Sequence, residues 1–183
     1  MTVEEFLAWA EIQPGESRYE LIDGIPVRLM APEAARHVDA KARIWLLMSR
    51  AIRSAALPCR AFVDGIGVRT DKRGYRIPDV TVTCGTVDDG SAIVEDPIVL
   101  VEVVSPGSTR RDAGDKLLDY FRIGSLVHYL IVYPDAGRIV HHRREPGAET
   151  IETRILAEGN VVLDPPGFSV AVPALLGQEQ IPI

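Results

Sequence analysis

The chain has 183 residues, 46% of them hydrophobic and 6% aromatic, with a formal net charge of -6. That length and apolar content suit a single core-bearing domain over 1–183, and the acidic balance excludes a generic nucleic-acid coat protein. The two cysteines, Cys59 and Cys84, are too few for a disulfide framework and lack zinc-site spacing, so they are expected to be reduced packing residues in a cytoplasmic protein.

The opening MTVEEFLAWAE is acidic where a secretory leader is basic, and no apolar run is long enough to span a bilayer, so no membrane partner is expected. Thr2 with Glu5 forms a capping box ahead of a short helix. YELIDGIPVRLM predicts a hairpin turning at Asp23-Gly24, with Pro26 placing the second strand at a sheet edge. Strong helix formers without Pro or Gly predict one long helix over about Ala34 to Ala56. RAFVDGIGVRT, DKRG and YRIPDVTVTC read as strand, turn, strand, followed by a polar loop from Gly85 to Asp96.

PIVLVEVV, the most apolar run, is the best candidate for a central strand buried on both faces. A helix over RDAGDKLLDYFRIG and a strand over VHYLIVYP complete a strand–helix–strand unit with parallel strands. The remainder, GRIVHHRRE, ETIETRILAEGNVVL and GFSVAVPALL, reads as antiparallel strands with a turn at Gly159-Asn160. The fold class is therefore α/β or α+β with a mixed sheet flanked by helices.

Glu102 lies in the middle of this apolar run. A buried carboxylate must neutralise, pair or hold a cation. Asp79 begins the preceding strand, and antiparallel pairing of the two strands would set both carboxylates at one end of one face. Two hard oxygen donors so placed suit Mg²⁺ or Mn²⁺. The alternatives are an arginine partner for Glu102 and a strand-start cap for Asp79. On the following helix Asp112, Lys116 and Tyr120 are four apart and share a face, from which Lys116 would lean toward the carboxylates. The alternative is a surface ion pair between Asp112 and Lys116.

YELIDG, the PD of RIPDV, VEVVSPGSTRRD, the lysine of DAGDKLLDY and the strand VHYLIVYP occur in the order seen in the Uma-two family of endonucleases, which the chain resembles from about Tyr19 to Pro134. That family resembles the PD-(D/E)XK nucleases and their restriction-endonuclease-like fold. The resemblance implies that Asp79 and Glu102 bind the metal and that Glu20 is an additional acid near it; the alternative for Glu20 is a cross-strand ion pair with an arginine such as Arg28. The lysine expected two residues after the acid is absent, since that position is Val104. Lys116 would substitute for it. His37 resembles a recurrent family position.

A nuclease needs cations for its substrate's phosphates. Arg36, Arg43 and Arg50 recur every seven residues on the long helix, with Lys41 and Arg53 nearby. Arg69, Lys72, Arg73 and Arg76 precede Asp79, and Arg110 and Arg111 follow Glu102. Together they suggest a phosphate track, against the alternative of solvated faces and rim ion pairs. HHRRE, from His141 to Glu145, is expected to be an exposed polar strand end, its two histidines on opposite faces and unable to share one ion. Ser105 and Ser108 read as turn residues.

The sequence thus points to a Mg²⁺- or Mn²⁺-dependent endonuclease acting on DNA, with a homodimer expected for cutting two strands. The alternatives are a nuclease-like module that binds nucleic acid or a protein without cutting, and a hydrolase of small phosphoesters.

Overall fold

The computed structural model of the protein describes residues 1–14, 18–29, 33–104 and 110–179. Helix α1 (Val3–Glu11) starts as expected: the Thr2 hydroxyl accepts from Glu5 N–H while the Glu5 carboxylate accepts from Thr2 N–H. Strands β1 (Tyr19–Ile22) and β2 (Ile25–Arg28) pair antiparallel, with Ile22 opposite Ile25. Asp23 and Gly24 between them have φ of 50° and 82°, the combination that matches a two-residue turn to the strands' right-handed twist. Pro26 lies on an edge strand, as expected. Helix α2 (Ala35–Ser54) buries Ala40, Ile44, Met48 and Ile52, a stripe at four-residue spacing.

The next segment departs from the expected strand, turn, strand. Asp64 and Gly65 both take positive φ, 52° and 76°, and break the first strand into β3 (Arg60–Val63) and β4 (Gly67–Asp71). The return is likewise divided into β5 (Gly74–Arg76) and β6 (Val80–Thr83). Strands β4 and β5 pair in a five-stranded sheet ordered β2-β1-β5-β4-β7, where β7 is Ile93–Val94. Strands β3 and β6 pair in a second, six-stranded sheet. One long hairpin therefore serves two sheets, its tip in one and its base in the other.

The six-stranded sheet is ordered β11-β10-β9-β8-β6-β3, with β8 (Pro97–Val103), β9 (His128–Tyr133), β10 (Arg138–Arg143) and β11 (Glu152–Leu156). The apolar run is central as expected, antiparallel to β6 and parallel to β9, with α3 (Arg110–Tyr120) as the connection between β8 and β9. Strands β12 (Asn160–Leu163) and β13 (Phe168–Ala171) do not extend this sheet across Gly159. They form their own hairpin, whose Val161, Leu163, Phe168 and Val170 join the core beneath α2, and the short α4 (Val172–Leu175) follows.

Side-chain alternation on β8 divides the core. Val99, Val101 and Val103 pack with Val80, Val82, Leu130, Ile44 and Met48 on the α2 side, while Leu100 packs with Tyr120, Phe121, Tyr129 and Ile131 on the other. Fully burying each such aliphatic residue contributes about 1.5–3 kcal/mol. A one-residue slip would exchange the two faces, so this packing fixes the register of β8 and, with it, the direction of Glu102.

Two expectations are corrected here. Cys59 and Cys84 are not reduced: they form a disulfide, with Cα atoms 3.9 Å apart. Extending the β3–β6 register by one residue beyond Arg60 opposite Thr83 sets them face to face, an adjacency hidden by their separation of 25 residues. The HHRRE strand is not an exposed end either. His141 and His142 are buried, and the residues do point to opposite faces. His142 stacks on Tyr129 and lies 2.8 Å from the Thr153 hydroxyl. On the other face His128 donates from Nε2 to the Pro165 carbonyl, at 2.9 Å, which leaves its Nδ1 to accept from His141 Nε2, also at 2.9 Å. Among the described residues, no helix is long and apolar enough to cross a membrane.

Burial, with the neighbouring imidazole of His141, pushes His128 down to about 4; burial, with Arg154 and Arg143 nearby, does the same to His141. A heteronuclear NMR titration of the imidazoles should find both rings neutral at pH 6, with midpoints near 4. A midpoint near 6.5 for both would show that this pair is solvated.

Candidate active site

The strand register builds the site. Val80 opposes Val101, so one further step sets Asp79 opposite Glu102. The bond across the gap is unambiguous: Asp79 Oδ2 accepts from Val103 N–H at 2.7 Å. Tyr120, at the C-terminal end of α3, donates its hydroxyl to Glu102 Oε1 at 2.6 Å. Lys116, one turn earlier, places Nζ 3.0 Å from Glu102 Oε2. The spacing of Lys116 and Tyr120 thus brings both to one carboxylate.

Burial raises Glu102 to about 7, opposed by the Lys116 ammonium and reinforced by the negative charge of Asp79. Burial also raises Asp79, against the Val103 N–H and the charges of Lys41, His37 and Lys116. The pair is therefore a place where negative charge is costly and a cation is favoured.

A lysine expected only as one of the basic residues of the long helix completes the surroundings. Lys41 of α2 has a side chain only 3% exposed, and its Nζ lies 2.5 Å from Glu33, 3.0 Å from Asp64 and 3.5 Å from Asp79 Oδ1. Burial works against its charge, but Glu33, Asp79 and Asp64 outweigh that and hold it above the ordinary lysine value. His37, one turn earlier on α2, faces the same way, 4.0 Å from Glu33. In sequence Lys41 looks like one member of a basic helix face. Its signal is its i+4 relation to His37, on the edge of the apolar stripe rather than opposite it.

Glu20 makes the cross-strand ion pair with an arginine that was its alternative, with Arg76 of the neighbouring strand β5 in the place of Arg28. One oxygen accepts from Arg76 at 2.9 Å and the other from Ile77 N–H at 3.0 Å; Arg28 is not its partner. Arg76 also donates through Nε to Asp119 at 3.0 Å. This buried Glu20–Arg76–Asp119 chain ties the five-stranded sheet to α3 next to Tyr120.

Arg76 is consequently no part of an exposed phosphate track. Arg73 donates to the Asp23 carbonyl and closes the β1–β2 turn, and Arg69 pairs with Glu4 and Glu95. Arg36, Arg43 and Arg50 lie more than about 100° around α2 from Lys41 and His37, with Arg36 and Arg50 exposed and Arg43 against Gly177. The side chains of Arg110, Arg111 and Asp112, and Ser105 and Ser108 altogether, fall outside the described residues.

Among the described residues, no group of three or more carboxylate, imidazole or thiol side chains gathers as a metal cage. Two carboxylates still fit magnesium, which keeps several waters and is commonly held by one or two carboxylates plus a substrate phosphate.

Comparison with known proteins gives the same direction. Residues 3–174 match the model of the Uma2 family, described as "Putative restriction endonuclease". The chain belongs to the Uma2 family. This Uma2 chain is 27% identical over 150 residues, 80% of its length and 76% of the other's, to the uncharacterised protein slr1290 of Synechocystis sp.. Its fold is that of a protein from Anabaena variabilis described as a "putative nuclease belonging to DUF820", with a TM-score of 0.74, 17% identity, and coverage of 97% of this chain and 98% of that one.

The raised carboxylate gives this Uma2 chain a defined pH signature. Folding lifts Glu102 from an ordinary 4.5 to about 7, so the folded state holds a proton that the unfolded chain releases. The stability this confers is present below about 4.5 and is lost as pH rises through 7. The Glu102→Gln variant does not titrate here. Without divalent cations, its Tm relative to wild type should climb between pH 5 and pH 8; a difference that is flat or falling would contradict the burial of a charged Glu102.

Proposed function

We propose that the protein is a metal-dependent endonuclease that hydrolyses phosphodiester bonds in DNA. The observation that carries this reading is the anchoring of Asp79 to Val103 N–H, at 2.7 Å and next in the chain to Glu102, with Lys116 3.0 Å from Glu102. Family membership supports a nuclease and hence a nucleic-acid substrate.

In this reading Asp79 and Glu102 hold Mg²⁺ or Mn²⁺, which supplies Lewis acidity and lowers the pKa of a bound water. Lys116 orients the attacking water and donates to a phosphoryl oxygen as charge builds there. The water oxygen bonds to phosphorus and releases a proton to solvent, the bond from phosphorus to one deoxyribose oxygen breaks, and that oxygen takes up a proton as it leaves. Tyr120 holds Glu102 in one orientation. Glu20 acts at one remove, through Arg76 and Asp119, by fixing α3 and with it Lys116.

The separation of roles explains the position of Val104. A lysine two residues beyond Glu102 on the same strand would share its face; here α3 delivers an ammonium to that face from above.

A second reading, a module that binds a nucleic acid or a protein partner without cutting, is favoured by Val104 in the place of the expected lysine and, for a protein partner, by the net charge of -6. The two separate in chelator, in which a binding module retains its DNA affinity and yields no product with or without metal.

The test is cleavage of supercoiled and linear DNA with and without Mg²⁺ or Mn²⁺. Asp79→Asn and Glu102→Gln should abolish metal-dependent cleavage, and Lys116→Met should slow it by about 10²–10³-fold, each with an unchanged circular-dichroism spectrum. Full activity in either carboxylate variant would overturn the reading.

A further inference from the structure

Both carboxylates have one oxygen engaged by the protein's own neutral donors: Glu102 Oε1 by Tyr120 and Asp79 Oδ2 by Val103 N–H. The remaining two oxygens each face an ammonium, Glu102 Oε2 that of Lys116 and Asp79 Oδ1 that of Lys41. Two carboxyl groups are thus bracketed by two ammonium groups. A divalent cation approaching these oxygens meets like charge on both sides, and at least one ammonium must give way.

Lys41 has other acids within reach. Lys116 lies 3.0 Å from Glu102. Lys41 is longest at Asp79, 3.5 Å, and shorter to two other acids, Glu33 at 2.5 Å and Asp64 at 3.0 Å. Asp64 is itself fixed: Arg18 pairs with it, and it occupies the left-handed turn that breaks β3 from β4. Lys41 is therefore held by two acids besides Asp79, and keeps its charge neutralised if it leaves Asp79.

We propose that Lys41 is a displaceable cation of the site. It neutralises Asp79 in the metal-free protein, withdraws toward Asp64 and Glu33 when a divalent ion binds, and then serves as a second ammonium for an oxygen of the substrate phosphate. The proposal rests on the nuclease reading above and adds what that reading lacks: a residue that weakens metal binding in the free protein and strengthens substrate binding in the loaded one. A purely structural lysine would do neither.

The test compares wild type, Lys41→Met and Lys41→Arg by calorimetric titration with Mn²⁺ and by DNA cleavage. Lys41→Met should bind Mn²⁺ about tenfold more tightly or better, since one nearby positive charge is gone, while kcat/KM for DNA falls by about 10²-fold. Lys41→Arg, which keeps the charge, should bind Mn²⁺ as wild type does. A wild-type measurement covers failure of the variants to fold: acylation of lysines by a water-soluble amine reagent, read by mass spectrometry, should label Lys41 at a rate that differs several-fold between the Mn²⁺-loaded and metal-free protein. If wild type binds no Mn²⁺ in the presence or absence of DNA, the nuclease reading fails. If wild type binds Mn²⁺ but Lys41→Met binds it no more tightly, or Lys41 labelling is insensitive to the ion, the nuclease reading stands and this proposal falls.

Discussion

The interaction on which the site depends is the hydrogen bond from Val103 N–H to Asp79. It locks the start of β6 against the end of β8 and so holds one carboxylate directly across from another, Glu102, whose own direction is set by the apolar register of its strand. Like charges at this spacing repel, and burial adds to the cost. The surrounding elements are arranged around that cost. Strand β8 supplies an apolar register that cannot slip, α3 brings Tyr120 and Lys116, and α2 brings His37 and Lys41. The Glu20–Arg76–Asp119 chain fastens α3 in place. A group of contacts that is unfavourable within itself persists because packing elsewhere over-determines it, as is common where a protein stores binding capacity.

Much of the fold was legible because its signals were local. The Thr2–Glu5 box, the Asp23-Gly24 turn, the long α2 and the β8–α3–β9 unit each depend on residues a few positions apart. The division of the 60–84 hairpin between two sheets also had a local signal, Asp64-Gly65, the same dipeptide that turns the first hairpin. It was obscured by apolar residues on both sides that continue a strand pattern. The disulfide and the buried histidines had none. Cys59 meets Cys84, and His128 meets His141, only after strands pair, and Pro165 reaches His128 only because the β12–β13 hairpin folds under α2 rather than extending the sheet.

The site divides the same way. Asp79 and Glu102 were legible because a carboxylate within an apolar strand demands a partner and the adjacent strand offered one; Lys116 and Tyr120 were legible from helical spacing. Lys41 was not, since a lysine on a helix is ordinarily solvated and its burial is made tolerable by Asp64 and Asp79, remote in sequence, together with Glu33. The arginines mark the opposite error. Clustering in sequence suggested a track, but Arg76 was clustered for an internal ion pair, and the α2 stripe lies around the helix from the residues that face Asp79. Charge counts along a chain say little about direction until the faces of each element are known.

The account stands on the claim that Asp79 and Glu102 together hold a divalent cation. Its most direct test is a crystal structure of the protein soaked in Mn²⁺, with anomalous diffraction recorded at the manganese edge. The account expects one strong anomalous peak bonded to an oxygen of each of these two carboxylates. A fully occupied Mn²⁺ elsewhere on the molecule, with none between Asp79 and Glu102 at saturating concentration, would contradict it.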